Sequence, residues 1–150
     1  ICVKGDIVML GYYKKPEQTA EVIKDGWFST GDFGYVNKKG QLVITGRKKN
    51  IIVLDNGKNI YPEEIEEYIY TIPYVKEVVV YDSTDGDKLI LCAEIYPDNE
   101  LLGDSDVNAD ICRVLSELPP YKQIGKIVMR EEEFVKNSSR KIKRGEIIKK

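Results

Sequence analysis

The sequence of 150 residues contains no histidine. This absence excludes serine or cysteine nucleophiles that are activated by a histidine, and it excludes metal sites that are built on imidazole. Any catalysis by the chain therefore has to rest on Lys, Arg, Asp, Glu or Tyr side chains, or on backbone groups.

Cysteine is scarce, and long apolar runs are missing. Cys2, Cys92 and Cys112 are an odd number of cysteines at long spacings, which fits neither a zinc pattern nor a disulfide framework. We expect buried or neutral thiols in a reducing cytoplasm. No apolar run reaches the ~18 residues that a membrane-spanning helix needs, so no such helix is predicted.

The charge is nearly balanced, with 23 basic and 25 acidic residues and a net charge of -2. Such a balance does not favour nucleic acid as a partner of the whole molecule. Basic residues are nevertheless concentrated in residues 136–150. A binding module whose basic tail contacts nucleic acid or an anionic membrane therefore remains an alternative of another functional class.

Two regions differ in their pattern. Residues 49–150 read as strand, helix, strand pair, helix and strand, which predicts an independent α+β domain with a small, mostly antiparallel sheet and packed helices. Residues 1–48 are rich in strands and too short to bury a core, so we interpret them as the β-rich end of a larger domain. Because the sequence begins with Ile1, we expect it to be a piece of a longer chain.

Apolar periodicity and turn residues predict the individual elements. The predicted strands cover residues 1–12, two strands within 33–45, and residues 51–54, 75–81, 88–96 and 124–129. The predicted helices run from Pro16 to about Gly26 with Trp27 and Phe28 buried beside it, from Pro62 to Ile72, over residues 104–118 with Asp104 or Ser105 as the cap, and briefly near 145–149.

Asp32 and Arg47 are the first two candidate functional residues. A carboxylate in a turn that is bounded by glycine, such as Asp32, can accept two hydrogen bonds from the vicinal diol of a ribose. The planar guanidinium of Arg47 can hold a sugar hydroxyl or a phosphate with fixed geometry. Taken singly, each has an ordinary alternative, namely a turn aspartate that bonds its own backbone and a surface arginine.

Lys141 and Gly57 are the other candidates. A lysine in a basic loop, such as Lys141, can reach a phosphate and stabilise charge that develops on a phosphoryl oxygen. Gly57 allows a ligand to approach the backbone closely. The ordinary alternatives are a solvated basic tail and a simple turn glycine.

Jointly, these residues lie in a series of motifs that resembles a known family. The motifs are DGWFSTGDFGYV, GRKKNII, GKNIYPEEIE and KNSSRKIKR. In this order they are similar to the C-terminal part of the acyl-adenylate-forming (AMP-binding) enzymes, and most of all to the long-chain fatty-acid–CoA ligases. The resemblance implies the C-terminal lid domain of that fold, preceded by the end of the large N-terminal domain.

The resemblance also implies a role for each matching residue. Asp32 and Arg47 would contact the ribose of ATP, and Lys49 would be the hinge about which the lid rotates. Gly57 would lie near the pantetheine arm of coenzyme A. Lys141 would be the catalytic lysine that enters the active site for adenylation. No metal ligand is assigned to the chain.

The implied reaction activates a carboxylic acid with ATP as acyl-AMP and then transfers the acyl group to coenzyme A. A carboxylate is already a nucleophile and needs no base, which agrees with the absence of histidine. The first step needs positive charge near the α-phosphate, which Lys141 and Mg²⁺ can supply. The second step needs that lysine removed, which rotation at Lys49 provides.

Two positions depart from the family pattern. Arg140 stands where the family usually has glycine before the lysine, which bears on the conformation of the loop. The hinge is Lys49 where Asp is commoner.

The resemblance leaves some partners and properties open. A carrier protein as acceptor, or an aryl or amino acid as substrate, would use the same fold. The implied location is cytoplasmic, with room for a peripheral contact at the inner membrane face. Because the acyl pocket and phosphate loop of the family lie upstream, we expect this fragment alone to be inactive without its missing N-terminal domain.

Overall fold

A computed structural model describes residues 1–86 and 88–147 of the chain. The chain forms two compact units, Ile1–Asn50 and Ile51–Lys150. This division and the predicted one after residue 48 differ by two residues. Two interpretations stay predictions: that the first unit is the end of a large domain, and that the second unit is a lid domain.

The first unit is built of short strands and one helix. The elements are β1 Cys2–Val3, α1 Pro16–Val22, β2 Ile23–Lys24, β3 Trp27–Ser29, β4 Asp32–Val36, β5 Leu42–Arg47 and a 3₁₀ helix at Lys48–Asn50. The strands form a three-stranded sheet of order β1-β3-β2 and the separate hairpin β4-β5.

Three predictions for this unit need correction. Residues 1–12 are not one extended run, because the N–H of Val8 donates to the carbonyl of Gly5 at 3.0 Å and closes a turn. Helix α1 ends at Val22 rather than near Gly26, since the next residues pair with β3 in a tight hairpin. Trp27 is not buried but 50% exposed, whereas Phe28 is partly buried.

The second unit has the predicted α+β architecture. The elements are β6 Ile52–Val53, β7 Asn59–Ile60, α2 Pro62–Ile69, β8 Val75–Asp85, β9 Lys88–Pro97, α3 Asn99–Leu102, α4 Val107–Val114, β10 Lys126–Met129 and 3₁₀ helices at Pro120–Lys122 and Arg144–Glu146. The main sheet has the order β10-β9-β8, with β8 antiparallel and β10 parallel to β9, and a second sheet pairs β6 with β7.

The core of the second unit lies between the helices and the main sheet. The predicted apolar face of α2 is correct, because Ile65 and Ile69 are fully buried. From α4 and the turn after it, Ile111 and Leu115 reach the same core, and Val78 and Val80 reach it from β8. Burial of each such side chain contributes about 1.5–3 kcal/mol, so this cluster is the main source of stability of the unit.

The predicted helix over residues 104–118 is wrong in its bounds. Two helices, α3 and α4, stand on either side of Gly103, whose φ of 47° ends the first of them. The cap of α4 is Asp106, whose carboxylate accepts from the N–H of Ala109 at 3.0 Å, and not Asp104 or Ser105. The apolar face was predicted correctly although the ends were not.

Smaller differences concern other ends. Helix α2 ends at Ile69 rather than at Ile72, and β8 continues to Asp85, well beyond the predicted residue 81. Where a helix is predicted near 145–149, the structure has a 3₁₀ turn at Arg144–Glu146. Residues 148 and 149 of that prediction lie outside the described part of the chain.

Of the three free thiols, only Cys92 is buried. Cys2 and Cys112 are exposed.

Candidate functional site

Asp32 and Arg47 face each other across the β4-β5 hairpin. They are direct partners in the strand register, and Arg47 Nε lies 2.8 Å from Asp32 Oδ1. The Arg47 side chain is 58% exposed and that of Asp32 is 21% exposed. The hairpin thus presents a carboxylate and a guanidinium side by side on an accessible edge.

The local sequence explains how Asp32 is held. Gly31 has φ of 75°, a left-handed conformation that glycine adopts without strain, and its carbonyl accepts from the N–H of Lys48 at 2.8 Å. The N–H of Asp32 donates to Thr30 Oγ1 at 3.1 Å. These bonds close the open end of the hairpin and direct the Thr-Gly-Asp turn toward the end of β5.

Lys49 lies in the single 3₁₀ turn that ends the first unit. Its side chain is exposed. Short 3₁₀ turns are frequent as connectors between elements. That Lys49 acts as a hinge remains a prediction.

Gly57 lies in the tight turn between β6 and β7. Its φ is 76°, its N–H donates to the carbonyl of Leu54 at 2.8 Å, and a Cβ added to it would meet no atom within 4 Å. Open space above a left-handed glycine leaves room for a ligand to approach the backbone.

A recess of about 410 Å³ lies beside this turn within the second unit. Asp55 and Asn56 form part of its rim and Leu89 part of its apolar lining. The ammonium of Lys58 lies 4.2 Å from the ring centroid of Tyr121, which also lines the recess. The turn is therefore accessible from a lined depression and not from a flat surface.

Lys141 lies on an exposed loop between residues 136 and 142. The loop is closed by a β-bridge between Lys136 and Ile142 and by the N–H of Asn137, which donates to the carbonyl of Lys141 at 2.9 Å. Asn137 Oδ1 accepts from the N–H of Lys141 at 2.9 Å. The preceding Arg140 has φ of 59°, a left-handed conformation that glycine adopts without strain.

The segment that carries Lys141 is anchored to the sheet and to α2. Arg144 forms an ion pair with Glu66 of α2, and its guanidinium also donates to the carbonyl of Val80 at 3.4 Å. Lys136 forms an ion pair with Glu77 of β8. The reading of this segment as a solvated tail is therefore wrong for these two cations.

A third ion pair joins Arg130, which lies between β10 and the Lys141 loop, to the main sheet. Arg130 pairs with Glu94 of β9, and its guanidinium lies 4.4 Å from the ring centroid of Phe134. Phe134 is 3% exposed, so Arg130 both packs on a buried aromatic ring and pairs with Glu94. The sequence patterns did not reveal these three carboxylates, and the only signal for them is that acidic residues stand at otherwise apolar positions of α2, β8 and β9.

Burial and ion pairing shift the pKa values of these residues. Desolvation raises the pKa of Glu66, while the hydrogen bond and charge of Arg144 act in the opposite direction. The pKa of Lys136 is raised by its hydrogen bonds to Glu133 and Glu77. The pKa of Glu133 is lowered by the same contact with Lys136.

The five predicted residues thus fall into three places. Asp32 and Arg47 are brought together by one hairpin, and Lys49 follows in the same unit. Gly57 and Lys141 lie on two different turns of the second unit.

The chain is similar to curated long-chain-fatty-acid–CoA ligases. It is 37% identical over 149 residues to that of Escherichia coli O6:H1, which covers 98% of this chain and 26% of the relative. It is 49% identical over 86 residues to that of Bacillus subtilis, covering 57% of this chain and 15% of the relative. No protein-family model matches the chain.

The fold is found in a solved structure of the same kind. The o-succinylbenzoate CoA synthetase of Bacillus subtilis, in complex with an acyl-adenylate intermediate, matches with a TM-score of 0.82 and 27% identity. The match covers 97% of this chain and 29% of that one. The chain belongs to the acyl-adenylate-forming enzymes. It spans 26% or less of the two curated relatives, so it corresponds to a part of such an enzyme.

Two kinds of feature are absent from the part of the chain that the structure describes. Over residues 1–86 and 88–147, no helix is both long and apolar enough to span a bilayer. In the same ranges, no three acidic or cysteine side chains converge as a metal-binding group would.

Proposed function

We propose that this chain is the C-terminal part of an ATP-dependent acyl-CoA synthetase. The pairing of Asp32 with Arg47 is the single observation that carries the proposal. Arg47 engages Oδ1 of the carboxylate through Nε, which leaves Oδ2 as an acceptor and the terminal guanidinium nitrogens as donors. Such a pair is suited to the two adjacent hydroxyls of a ribose.

The proposed role of Lys141 follows from its place. It is exposed at the end of a turn that is anchored on both sides, so its ammonium can be presented to a bound substrate from a defined position. In the first step the carboxylate of the acid attacks the α-phosphorus of ATP, the bond to pyrophosphate breaks, and acyl-AMP forms. Lys141 would stabilise the negative charge on the phosphoryl oxygens.

The second step transfers the acyl group to coenzyme A. The thiol sulfur attacks the acyl carbon, the thioester forms, AMP leaves, and the thiol proton is released. In our proposal the second unit rotates about Lys49 between the two steps, which withdraws Lys141 and brings the Gly57 turn toward the pantetheine arm. Mg²⁺ would neutralise the phosphates of ATP when bound.

The names of the curated relatives support a long-chain fatty acid as the substrate and CoA as the acceptor. A carrier protein as acceptor, or an aryl or amino acid as substrate, would use the same residues. The free cysteines agree with a reducing cytoplasmic location. A peripheral contact with the inner membrane face would suit a lipid substrate.

The deciding experiment uses the full-length protein that contains this sequence. In Lys141→Ala, we expect adenylate formation, measured as exchange of labelled pyrophosphate into ATP, to fall at least 100-fold. Thioester formation from preformed acyl-AMP should change by less than about threefold, because that step does not use Lys141.

The matched control is Lys143→Ala. This lysine lies two residues away and is also exposed, and it pairs with Glu146 at 3.3 Å on the surface. Its removal should leave both half-reactions unchanged. Equal losses of both half-reactions in Lys141→Ala would contradict the assigned role. Measurable acyl-CoA formation by the purified 150 residues alone would contradict the proposal that the acyl pocket lies elsewhere.

A further inference from the structure

Both ends of the Lys141 loop are attached to buried carboxylates. Among residues 1–86 and 88–147, the buried charged side chains are Glu66, 6% exposed, and Glu77, 9% exposed. Glu77 binds Lys136 just before the loop, and Glu66 binds Arg144 just after it. The two most deeply buried charged side chains of the described residues thus both form ion pairs with residues 136–144.

Each of these carboxylates also accepts a backbone hydrogen bond. Glu66 Oε1 accepts from the N–H of Val80 at 2.7 Å, and Glu77 Oε2 accepts from the N–H of Phe134 at 2.9 Å. Their positions are therefore fixed by the sheet and by the chain around it, and they cannot follow the loop if it moves. A cation that binds such an acceptor is held at a defined place.

General stability does not explain why charges are used here. Replacing a buried ion pair by well-packed apolar side chains is often neutral or stabilising, so a buried pair is weak evidence for a purely stabilising role. A directional ion pair fixes the relative position of its two residues. Apolar packing fixes such positions less strictly. Lys141 lies three residues before Arg144 and five after Lys136, between the two attachment points.

We propose that Glu66 and Arg144 are positioning residues that set the place of the Lys141 ammonium for adenylation. This inference rests on the function proposed above for Lys141. Neither residue is assigned a contact with substrate. Releasing Arg144 would free the end of the loop nearer to Lys141 while leaving the ammonium itself intact.

The test uses Glu66→Gln in the full-length protein. Glutamine keeps an oxygen for the N–H of Val80 but removes the charge of the nearer of the two carboxylates that face Arg144; the other, Glu63 Oε1, lies 4.0 Å from Arg144 and is unchanged. We expect kcat for adenylation to fall about 10- to 100-fold, as misplacement of a catalytic group by about 1 Å does. KM for ATP should change less than threefold, and thioester formation from preformed acyl-AMP should stay within threefold of the wild type.

Glu64→Gln is the matched control on the same helix. Glu64 pairs with Lys122 at 2.7 Å and touches no residue of the loop segment in the described structure. It removes the same charge from α2 and should leave both half-reactions unchanged. Hydrogen exchange of residues 136–144 should accelerate in Glu66→Gln and not in Glu64→Gln.

Arg144 gives two further readouts. Arg144→Gln should reproduce the adenylation defect, and combining it with Glu66→Gln should add less than threefold, because both variants break the Glu66–Arg144 ion pair. Arg144→Lys keeps the charge and should restore a part of the lost rate. Full additivity of the two variants would overturn the inference.

The two proposals fail in different ways. If Lys141→Ala abolishes adenylation while Glu66→Gln leaves it unchanged, or lowers both half-reactions equally, the positioning role is wrong and the proposed function stands. If Lys141→Ala leaves adenylation unchanged, the proposed function is wrong, and the positioning role is wrong with it.

Discussion

Arg140 and Gly40 occupy the same position in two turns of the same kind. Gly40 donates its N–H to the carbonyl of Asn37 at 2.9 Å, and Arg140 donates its N–H to the carbonyl of Asn137 at 3.0 Å. Their φ angles are 76° and 59°. One turn therefore uses glycine for its left-handed residue, and the turn before the candidate catalytic lysine uses arginine.

The asparagine that begins each turn explains how arginine is tolerated. Oδ1 of Asn37 and Oδ1 of Asn137 each accept from the N–H groups two and four positions later, at 2.9 to 3.0 Å. These bonds stabilise the turn independently of the residue in the left-handed position. The departure of Arg140 from the family's glycine thus leaves the turn formed but strained.

The first prediction concerns this strain. Arg140→Gly should raise the free energy of unfolding of the second unit by about 1 kcal/mol, because a residue with a Cβ costs roughly 1–2 kcal/mol in the left-handed region. Chemical denaturation followed by far-ultraviolet circular dichroism measures this free energy.

Gly40→Ala is the converse control. A Cβ there would meet no atom within 4 Å, so only the backbone conformation should lower the free energy of unfolding, again by about 1 kcal/mol. Gly40 lies in the first unit, and the single tryptophan, Trp27, reports on the unfolding of that first unit by fluorescence. A destabilised Arg140→Gly would show that the arginine side chain has a stabilising contact.

The second prediction concerns the cap of α4. Asp106→Ala should lower the free energy of unfolding by about 1 kcal/mol, because the carboxylate bonds the otherwise unpaired N–H of Ala109. Asp104→Ala should change it by less than about 0.5 kcal/mol, since Asp104 is an exposed residue outside the helix. Denaturant titration of both variants measures the difference. Equal costs would mean that the helix begins earlier than described.

The third prediction concerns stability at high pH. Burial and the hydrogen bond to Asp110, at 3.2 Å, raise the pKa of Tyr74 to about 12. Between pH 10 and 12 the unfolded chain loses this proton while the folded chain keeps it, so stability falls as the pH rises, by roughly 2–3 kcal/mol from this residue. Tyr74→Phe should flatten the decline over that range. The comparison of wild type and variant by urea titration at each pH removes the contribution of the lysines, and equal slopes would contradict the prediction.

The fourth prediction separates stability from binding at the hairpin. Asp32→Asn should change the unfolding of the first unit by less than about 1 kcal/mol, because the Arg47 partner is largely exposed. In the full-length protein, the affinity for AMP should fall at least tenfold by calorimetry, since the ribose loses a charged acceptor. Asp25→Asn, at an exposed turn of the same unit, should leave the affinity unchanged. An unchanged affinity in Asp32→Asn would contradict the ribose contact.

Local features of the sequence predicted most of the elements and the class of the protein. Pro62 with two acidic residues after it begins α2, Asn56-Gly57 forms a tight turn, and alternating apolar residues form the β8–β9 pair, because each signal depends on neighbouring residues. The motifs around Asp32 and Arg47 indicated the family for the same reason. The two side chains meet because a single hairpin joins them.

Only the tertiary structure decided what holds Lys141 in place. Glu66 and Arg144 are 78 residues apart, and Glu77 and Phe134 are 57 apart, so no periodicity or spacing can reveal that they meet. The exposure of Trp27 and the shortening of the predicted 104–118 helix to α4, Val107–Val114, were likewise not predicted from local propensity. Local propensity determines which elements form, whereas long-range packing determines which charges become buried and therefore which partners they must find.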